Sequence, residues 1–476
     1  MLLQNDYVII FGGDKMKKPN MIQARIRTNQ IVPIVEYRNC FEKIGLNKKY
    51  FIKTYGCQMN EHDTENIKAI LEEIGFNETN NIEQADLILL NTCSIRENAH
   101  NKVFGMLGRL KKIKEKNNVL VGLCGCMAQE EMVVEKIIAK YKWLDFVFGT
   151  HNIVDLPKLI KEKEMSVYSK EGEVYENIPI KREFKHKAWV NVMYGCDKFC
   201  TYCIVPYTRG KQRSRKKEYI INEVKELVKD NCQEITLLGQ NVNAYGKDLK
   251  DNYYLADLLK DLAKLKIARI RFITSHPWDF SDEMIEVIKN NPNIMPHIHL
   301  PIQSGSDKIL KRMGRRYNVK TYFDLFKKLK KEINDIAITT DIIVGFPNET
   351  EDDFQKTLDI VNKCQFDYAF TFVFSKRNGT PAADFEDKIS LEEKKERLKK
   401  LNQLVNHYTL KSNQKEKNKI VNVLVDGFSE KNKTMLTGYT ERMKRINFKG
   451  DQSLIGKIIK VKVTKIKTWS LEGDAC

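Results

Sequence analysis

The segment Cys196-Asp-Lys-Phe-Cys200-Thr-Tyr-Cys203 sets three thiols at C-x3-C-x2-C spacing, directly after a strand-like run at 188–194. Thiolates this close can hold three corners of a cubane iron–sulfur cluster, whose usual complement is four. The fourth iron is then open to a small molecule. Structural zinc prefers a closed set of four ligands, built from paired C-x2-C knuckles. Neither a second knuckle nor a nearby His completes such a set here.

A second set emerges from where cysteines fall relative to the elements around them. Residues 50–55, 85–91, 119–123 and 146–148 read as strands, with helical patterns at 64–74, 98–114 and 129–139 between them. Strands alternating with helices predict a parallel, doubly wound α/β sheet. Cys57, Cys93 and Cys126 each fall just past a predicted strand and before the next helix. The carboxyl ends of such strands share one edge, where ligands bind. The cysteines should therefore converge as a second three-thiol site, against the alternative of separately buried structural cysteines. Cys124 competes with Cys126, and spacing alone does not separate them.

From 182 to 412 the alternation resumes with a longer rhythm. Strand-like runs at 189–194, 234–238, 269–274, 297–301, 338–344 and 368–374 are separated by helical patterns such as 217–229 and 350–362. Six β/α units predict an open, partial (β/α)6 barrel, whose strand-end loops carry the chemistry. The Cys196 segment would sit in its mouth. A charged helix follows, and residues 415–476 are basic, with short alternating runs at 420–425 and 458–463 that predict a small C-terminal β-barrel. An RNA-binding module is the functional expectation for it, a structural lid the alternative. Residues 1–47 show no sustained periodicity and read as an accessory extension of the kind that is often disordered. The domain expectation is thus 1–47, 48–166, 182–412 and 415–476.

Composition bounds the rest. The 476 residues are 42% hydrophobic and 30% charged, as in globular domains. No apolar run approaches the ~20 residues that span a bilayer, and the patch at 7–11 is too short for a signal-peptide core. A cytoplasmic location without membrane association is expected. The 11 cysteines then point to metal or redox chemistry rather than disulfides. A net charge of +18 points to a polyanion, nucleic acid first. No heptad or apolar stripe demands a second copy, so a monomer is expected.

Lys53-Thr-Tyr-Gly-Cys57-Gln-Met-Asn60, Asn91-Thr-Cys93-Ser-Ile-Arg-Glu97 and Gly125-Cys126-Met-Ala-Gln129 resemble the three cysteine motifs of the radical S-adenosylmethionine (SAM) methylthiotransferase family. The run at 194–215, YGCDKFCTYCIVPYTRGKQRSR, resembles its radical SAM segment, and the last 60 or so residues its TRAM domain. The resemblance runs from about residue 49 to the end and implies a flavodoxin-like N-terminal domain, with Cys126 rather than Cys124 as third ligand. It further implies two 4Fe–4S clusters, one on Cys196, Cys200 and Cys203 and an auxiliary one on Cys57, Cys93 and Cys126, together with SAM. The Tyr-Gly-Cys-Gln-Met-Asn and Pro-Tyr-Thr-Arg-Gly runs resemble the branch that places a methylthio group on carbon 2 of N6-(dimethylallyl)adenosine at tRNA position 37. Implied partners are the tRNA anticodon loop, an electron donor such as flavodoxin or ferredoxin, and a sulfur supply.

Other candidates are individually weaker. Gln240, Asn241, Ser275, His276, Gln303 and Asp341 lie at predicted strand ends and could contact the amine, ribose or adenine of SAM; turn-forming or core roles compete. Gly345-Phe346-Pro347 could approach the adenine through its backbone. Arg209, Lys211, Arg213 and Arg215 follow the cysteine loop and could contact phosphate or the SAM carboxylate; a solvated helix entry competes. Cys40, Cys232, Cys364 and Cys476 lie in no motif. The competing functions are methylthiolation of threonylcarbamoyladenosine in tRNA or of a ribosomal-protein aspartate, a non-catalytic iron–sulfur RNA-binding redox sensor, and a radical methyltransferase with Cys126 or Cys124 as methyl acceptor.

Overall fold

The computed structural model of the chain contains three successive groups of strands among its described residues. It describes residues 8–11, 14–17, 20, 22, 24, 32–38, 41–94, 97–168 and 173–476. The N-terminal part holds β1 (Val8–Phe11), β2 (Asp14–Lys17), β3 (Ile34–Glu36), β4 (Lys49–Tyr55), β5 (Asn77–Glu78), β6 (Leu87–Thr92), β7 (Leu120–Gly125), β8 (Phe146–Phe148), β9 (Met165–Ser166) and β10 (Val174–Glu176). Eight of these form one sheet in the order β1-β2-β9-β8-β7-β6-β4-β5, and β3 pairs with β10. From β9 to β5 every pairing is parallel. This is the flavodoxin-like order, with its switch point between β4 and β6.

β6, Leu-Ile-Leu-Leu-Asn-Thr, is buried along its whole length, as a parallel strand covered on both faces must be. Leu87 and Leu89 pack with Ile67, Ile70 and Leu71 of the helix Gln58–Glu73. Ile88 and Leu90 pack with Val103, Leu107 and Leu110 of the helix Glu97–Asn117. The stretch expected to be an extension contributes β1, β2 and β3. Strands of three or four residues are too short to carry a readable period.

The central part holds β11 (Lys187–Asn191), β12 (Met193–Tyr194), β13 (Arg213–Ser214), β14 (Glu234–Leu238), β15 (Arg269–Phe272), β16 (His297–His299), β17 (Ala337–Val344) and β18 (Tyr368–Val373). β11-β14-β15 and β16-β17-β18 are two parallel runs, joined through the Ile270–Ile294 bridge. Together they make the open six-strand barrel, with β18 at one edge. Its helices bury apolar stripes; Ile220, Val224 and Leu227 of Lys217–Lys229 are one, at the spacing of one helix face.

The C-terminal strands β19 (Ile420–Phe428), β20 (Leu436–Thr440), β21 (Arg445–Lys449), β22 (Ile458–Ile466) and β23 (Leu471–Ala475) close into a barrel. It is clamped at the amino ends of the central strands. Buried Arg269 donates to the carbonyls of Tyr439 and Asn422 at 2.9 Å each. Arg271 donates to those of Thr440 and Glu441, and to Glu234 at 2.9 Å. Among the described residues no helix is long and apolar enough to cross a membrane.

Candidate active site

Cys57 is the residue before the helix Gln58–Glu73, Cys93 follows β6, and Cys126 opens a short 3-10 helix after β7. Because β4, β6 and β7 are parallel neighbours, all three cysteines stand on one edge, at the switch point. A pair of asparagines locks that edge. Asn60 donates to Asn91 Oδ1 and to the Thr92 carbonyl, both at 3.2 Å. Asn91 returns bonds to the Asn60 carbonyl at 2.8 Å and to Thr64 Oγ1 at 2.9 Å. Gly125 has φ +92, and a Cβ there would lie 2.4 Å from both Asn91 Oδ1 and the Thr92 carbonyl. Only glycine lets β7 turn into Cys126 this close to the lock.

Cys124 lies on β7 in the apolar cluster with Phe146, Phe148 and Leu159, whereas the Cys126 sulfur accepts from Arg209 Nε at 3.1 Å. Arg209 is 4% exposed and also pairs with Asp63 at 2.5 Å. Cys57 feels the hydrogen bond with Cys93 first; despite burial, and helped by the Arg209 charge, its thiol is lowered to about 6. Burial, only partly offset by Arg209, raises the Cys126 thiol.

Cys196, Cys200 and Cys203 lie on the loop between β12 and the short helix Val205–Thr208. Gly195 starts it at φ +69, and a Cβ there would meet the Gly210 and Lys211 carbonyls at 2.4 and 2.1 Å. The loop closes on itself through Cys196 N–H to Gly210 O at 3.2 Å and Cys203 N–H to Cys200 O at 2.9 Å. Arg315, 8% exposed, donates to Cys200 Sγ at 3.4 Å and to the Pro301 carbonyl at 3.2 Å. Burial pushes the Cys196 thiol up to about 12 and moves Cys203 the same way.

The strand-end candidates separate into two groups. Gln240 accepts the Gly195 N–H, and Asn241 donates to Asp279 at 2.8 Å. Asp279 also holds Lys198 of the cysteine loop at 2.7 Å and Lys247 at 2.6 Å. Gln240 Nε2, Asn241 Oδ1 and Ser275 Oγ remain buried with no hydrogen-bond partner among the described residues. Three unanswered polar atoms on adjacent strand ends carry a desolvation cost, which a polar ligand such as SAM would relieve. His276 instead accepts the Trp278 N–H at 3.3 Å as a helix cap, and burial, then Arg315, lowers its pKa to about 2. Gln303 bridges to β17 through its backbone, with φ +72. Asp341 pairs with His299 at 3.2 Å. Gly345 donates its N–H to Glu349 at 2.7 Å, and Phe346 is buried against Ile309 and Phe374.

The basic run has a different occupation from phosphate contact. Besides Arg209, Arg213 donates to the Arg209 carbonyl at 3.1 Å, and Arg215 holds Glu176 at 2.7 Å and Glu223 at 2.8 Å. All three are buried. Arg209 and Arg215 are matched by carboxylates inside the protein and so brace the N-terminal domain against the barrel, whereas Arg213 is held by the Arg209 and Lys211 carbonyls; Lys211 is half-buried. Thr208 joins them, its carbonyl accepting from Thr150 Oγ1 at 2.5 Å. Cys232 and Cys364 lie in the barrel core, Cys476 is exposed, and Cys40 lies outside the described residues.

Sequence reasoning missed Asp63, Arg315, His299 as the partner of Asp341, and His62. The last is buried with both ring nitrogens unpartnered among the described residues, and burial, then Arg182, lowers its pKa to about 3. None belongs to a short motif. Among the described residues no group of three His, Cys, Asp or Glu side chains is gathered tightly enough to hold a single metal ion. The donor sets nevertheless suit iron–sulfur clusters: three thiols each, with an arginine against one sulfur of each set.

The chain matches the Radical SAM superfamily over residues 190–361, the Uncharacterized protein family UPF0004 over 49–149 and the TRAM domain over 414–476. It is 54% identical over 466 residues to a tRNA-2-methylthio-N(6)-dimethylallyladenosine synthase of Bacillus cytotoxicus, covering 96% of this chain and 91% of that protein. The protein of the same name from Bacillus subtilis is 54% identical over 442 residues, covering 91% and 87%. Among solved structures, the radical S-adenosylmethionine methyltransferase TsrM of Kitasatospora setae, with cobalamin and a 4Fe–4S cluster bound, superposes with a TM-score of 0.52. Its identity is 11%, over 71% of this chain and 77% of that one, a likeness of fold alone.

Proposed function

The chain belongs to the tRNA-2-methylthio-N(6)-dimethylallyladenosine synthase family, and on that premise we propose how its own residues serve the reaction. It is a radical SAM tRNA methylthiotransferase that converts N6-(dimethylallyl)adenosine in tRNA to the 2-methylthio derivative. Neither the threonylcarbamoyladenosine nor the ribosomal-aspartate expectation is favoured by the names of its relatives. Cys196, Cys200 and Cys203 would hold the radical SAM cluster, and Cys57, Cys93 and Cys126 the auxiliary one. When bound, these groups and SAM supply the one-electron and sulfur chemistry that an unactivated aromatic C–H bond requires and side chains cannot provide.

The observation that carries this assignment is Arg209. It leaves the segment just after Cys203 and ends on Cys126 at 3.1 Å, so one short stretch fixes both three-cysteine sites relative to each other. Its guanidinium stabilises negative sulfur at Cys126 while Asp63 holds it in place. Arg315 likewise donates to the Cys200 sulfur. Asp279, through Lys198, sets the cysteine loop against the strand ends that carry Asn241 and Ser275, where SAM would find unpaired polar atoms. Arg315, anchored on the Pro301 carbonyl, offers its charge toward the same mouth.

The target base must leave its stack before it can be attacked, at a cost of about a few kcal/mol. An unpaired anticodon-loop base, position 37, meets that requirement most cheaply. We infer a cytoplasmic location from the tRNA substrate, with flavodoxin or ferredoxin as electron donor and a sulfur carrier replenishing the auxiliary site. The test is anaerobic reconstitution with reductant, SAM and tRNA bearing N6-(dimethylallyl)adenosine. A nucleoside heavier by one SCH2 unit, formed alongside 5′-deoxyadenosine, is expected by mass spectrometry; 5′-deoxyadenosine with an unchanged nucleoside would overturn the substrate assignment.

A further inference from the structure

β18 is an edge strand with two unlike faces. Ala369 packs into the barrel core with Leu401 and Val405 of the helix Leu391–Gln414, and Thr371 Oγ1 donates to Asn402 on the same helix at 2.5 Å. Strand alternation therefore turns Tyr368, Phe370 and Phe372 to the other side, toward the open lumen. There Phe370 packs against His299 with ring centroids 5.8 Å apart, beside the Asp341 register partner of Phe370 on β17. Phe370 and Phe372 are 47% and 48% exposed.

The row does not stop at the strand. Tyr368 meets Phe370 at 4.7 Å and Trp469 at 5.6 Å, both edge-on. Trp469 belongs to the turn between β22 and β23 of the C-terminal barrel and is 53% exposed. That turn is held in place by Asn413, which donates to the carbonyls of Lys467 and Thr468 at 2.9 Å each. Four aromatic rings thus run from the C-terminal barrel along β18 toward its carboxyl end, where the strand-end loops gather. Exposed Lys376 follows one end of the row, and exposed Lys415 follows Asn413, which holds the turn at the other; Lys465 and Lys467 beside that turn are paired with Glu472.

Large apolar side chains on an exposed sheet edge are a liability for association. Base stacking is a use for which such rings must stay accessible, since every base has a π-face and flanking lysines attract the backbone. We propose that Trp469, Tyr368, Phe370 and Phe372 form a stacking track for unpaired nucleotides of the tRNA substrate, leading from the C-terminal barrel into the lumen. This rests on the tRNA function proposed above, and the track is continuous with the TRAM domain at one end.

The test uses the full-length protein and an anticodon-arm RNA hairpin, with and without N6-dimethylallyl on the target adenosine. Affinity is read by anisotropy across a range of salt. Phe370→Ala, Phe372→Ala and Trp469→Ala should each weaken binding about tenfold, within the range of ~1–3 kcal/mol for one lost base–aromatic stack. The salt slope should be unchanged, because no phosphate contact is lost. Trp469→Phe should keep most of the affinity. Urea unfolding of each variant guards against a folding defect, which these half-exposed positions should not cause. Wild-type affinity in all three alanine variants would overturn the track while leaving the tRNA function intact. Failure of the wild-type protein to bind the hairpin would remove that function and the track with it. A change of sedimenting mass in the variants, without a change in RNA affinity, would show the row to be a contact between copies of the chain and overturn the proposal.

Discussion

The two three-cysteine sites are built in opposite ways. Cys196, Cys200 and Cys203 lie on one loop shaped by local bonds such as Cys203 N–H to Cys200 O. Cys57, Cys93 and Cys126 come from three strand ends and meet only because β4, β6 and β7 are adjacent and parallel. Their electrostatics differ as well. Burial raises the Cys196 and Cys203 thiols, whereas Cys57 is lowered by the bond with Cys93 and by nearby Arg209. A local site can be specified by spacing; a distributed site needs a separate lock, here Asn60 with Asn91 and Arg209 with Asp63. The distributed site should therefore be more fragile to substitutions away from its sulfurs.

The largest effect should separate the two sites by chemistry. Cys200→Ala should abolish 5′-deoxyadenosine formation, at least about a hundredfold, since no side chain can replace the cofactor. Cys93→Ala should still cleave SAM yet form no methylthio product, and bound iron should fall from about eight to about four per chain. Methylthiolated nucleoside from Cys93→Ala would erase the distinction between the sites.

Next, Arg209→Ala leaves Asp63 buried without its partner, a change that costs about 3–5 kcal/mol when one member of a buried pair is removed. Urea denaturation should show it, and Arg209→Ala combined with Asp63→Ala should recover part of the loss. Full stability of Arg209→Ala would mean that the cross-domain brace carries no weight.

Smaller again, Asn60→Ala and Asn91→Ala should each cost about 1–3 kcal/mol from the unanswered partners left behind. The double variant should lose less than the sum, because the two residues bond each other. Additive losses would show that the asparagines act separately.

The smallest effect concerns protons on the metal-free protein. A thiol whose folded pKa is depressed to about 6 contributes stability that is fully present above its unfolded value of about 8.5 and is lost as pH falls through about 6. Alkylation of Cys57 should accordingly be half-maximal near pH 6 and level off by about pH 8, while that of Cys196, with its pKa pushed up to about 12, still climbs at pH 10. Peptide mass spectrometry of a pH series reads both; matching profiles would deny the electrostatic contrast.

Much of this architecture is visible in the sequence. The strand-like runs at 234–238 and 146–148 coincide with β14 and β8, and the helix expected at 217–229 matches Lys217–Lys229. The two strands are short, largely apolar runs buried along their whole length, and the helix carries a buried stripe at its own period. The basic run after Cys203 was legible as charge but not as direction. Arg209 and Arg215 turn inward because Asp63 and Glu176, on elements far away in the chain, and Glu223, on the next helix, wait there. The aromatic row is equally hidden: Phe370 and Phe372 alternate as core residues would, and only an unclosed barrel edge leaves them exposed.

The sequence by itself determined the family, the six cysteines proposed as ligands and the alternation of strands and helices, because each is written in residue type and short spacing. Tertiary structure alone decided that Cys124 packs in the core while Cys126 meets Arg209, and that Asn60 finds Asn91. It also decided that, among the described residues, Gln240, Asn241 and Ser275 keep unanswered polar atoms at one strand-end edge. These outcomes depend on which distant groups share a buried, low-dielectric space, and that is set by sheet order and packing rather than by neighbours along the chain.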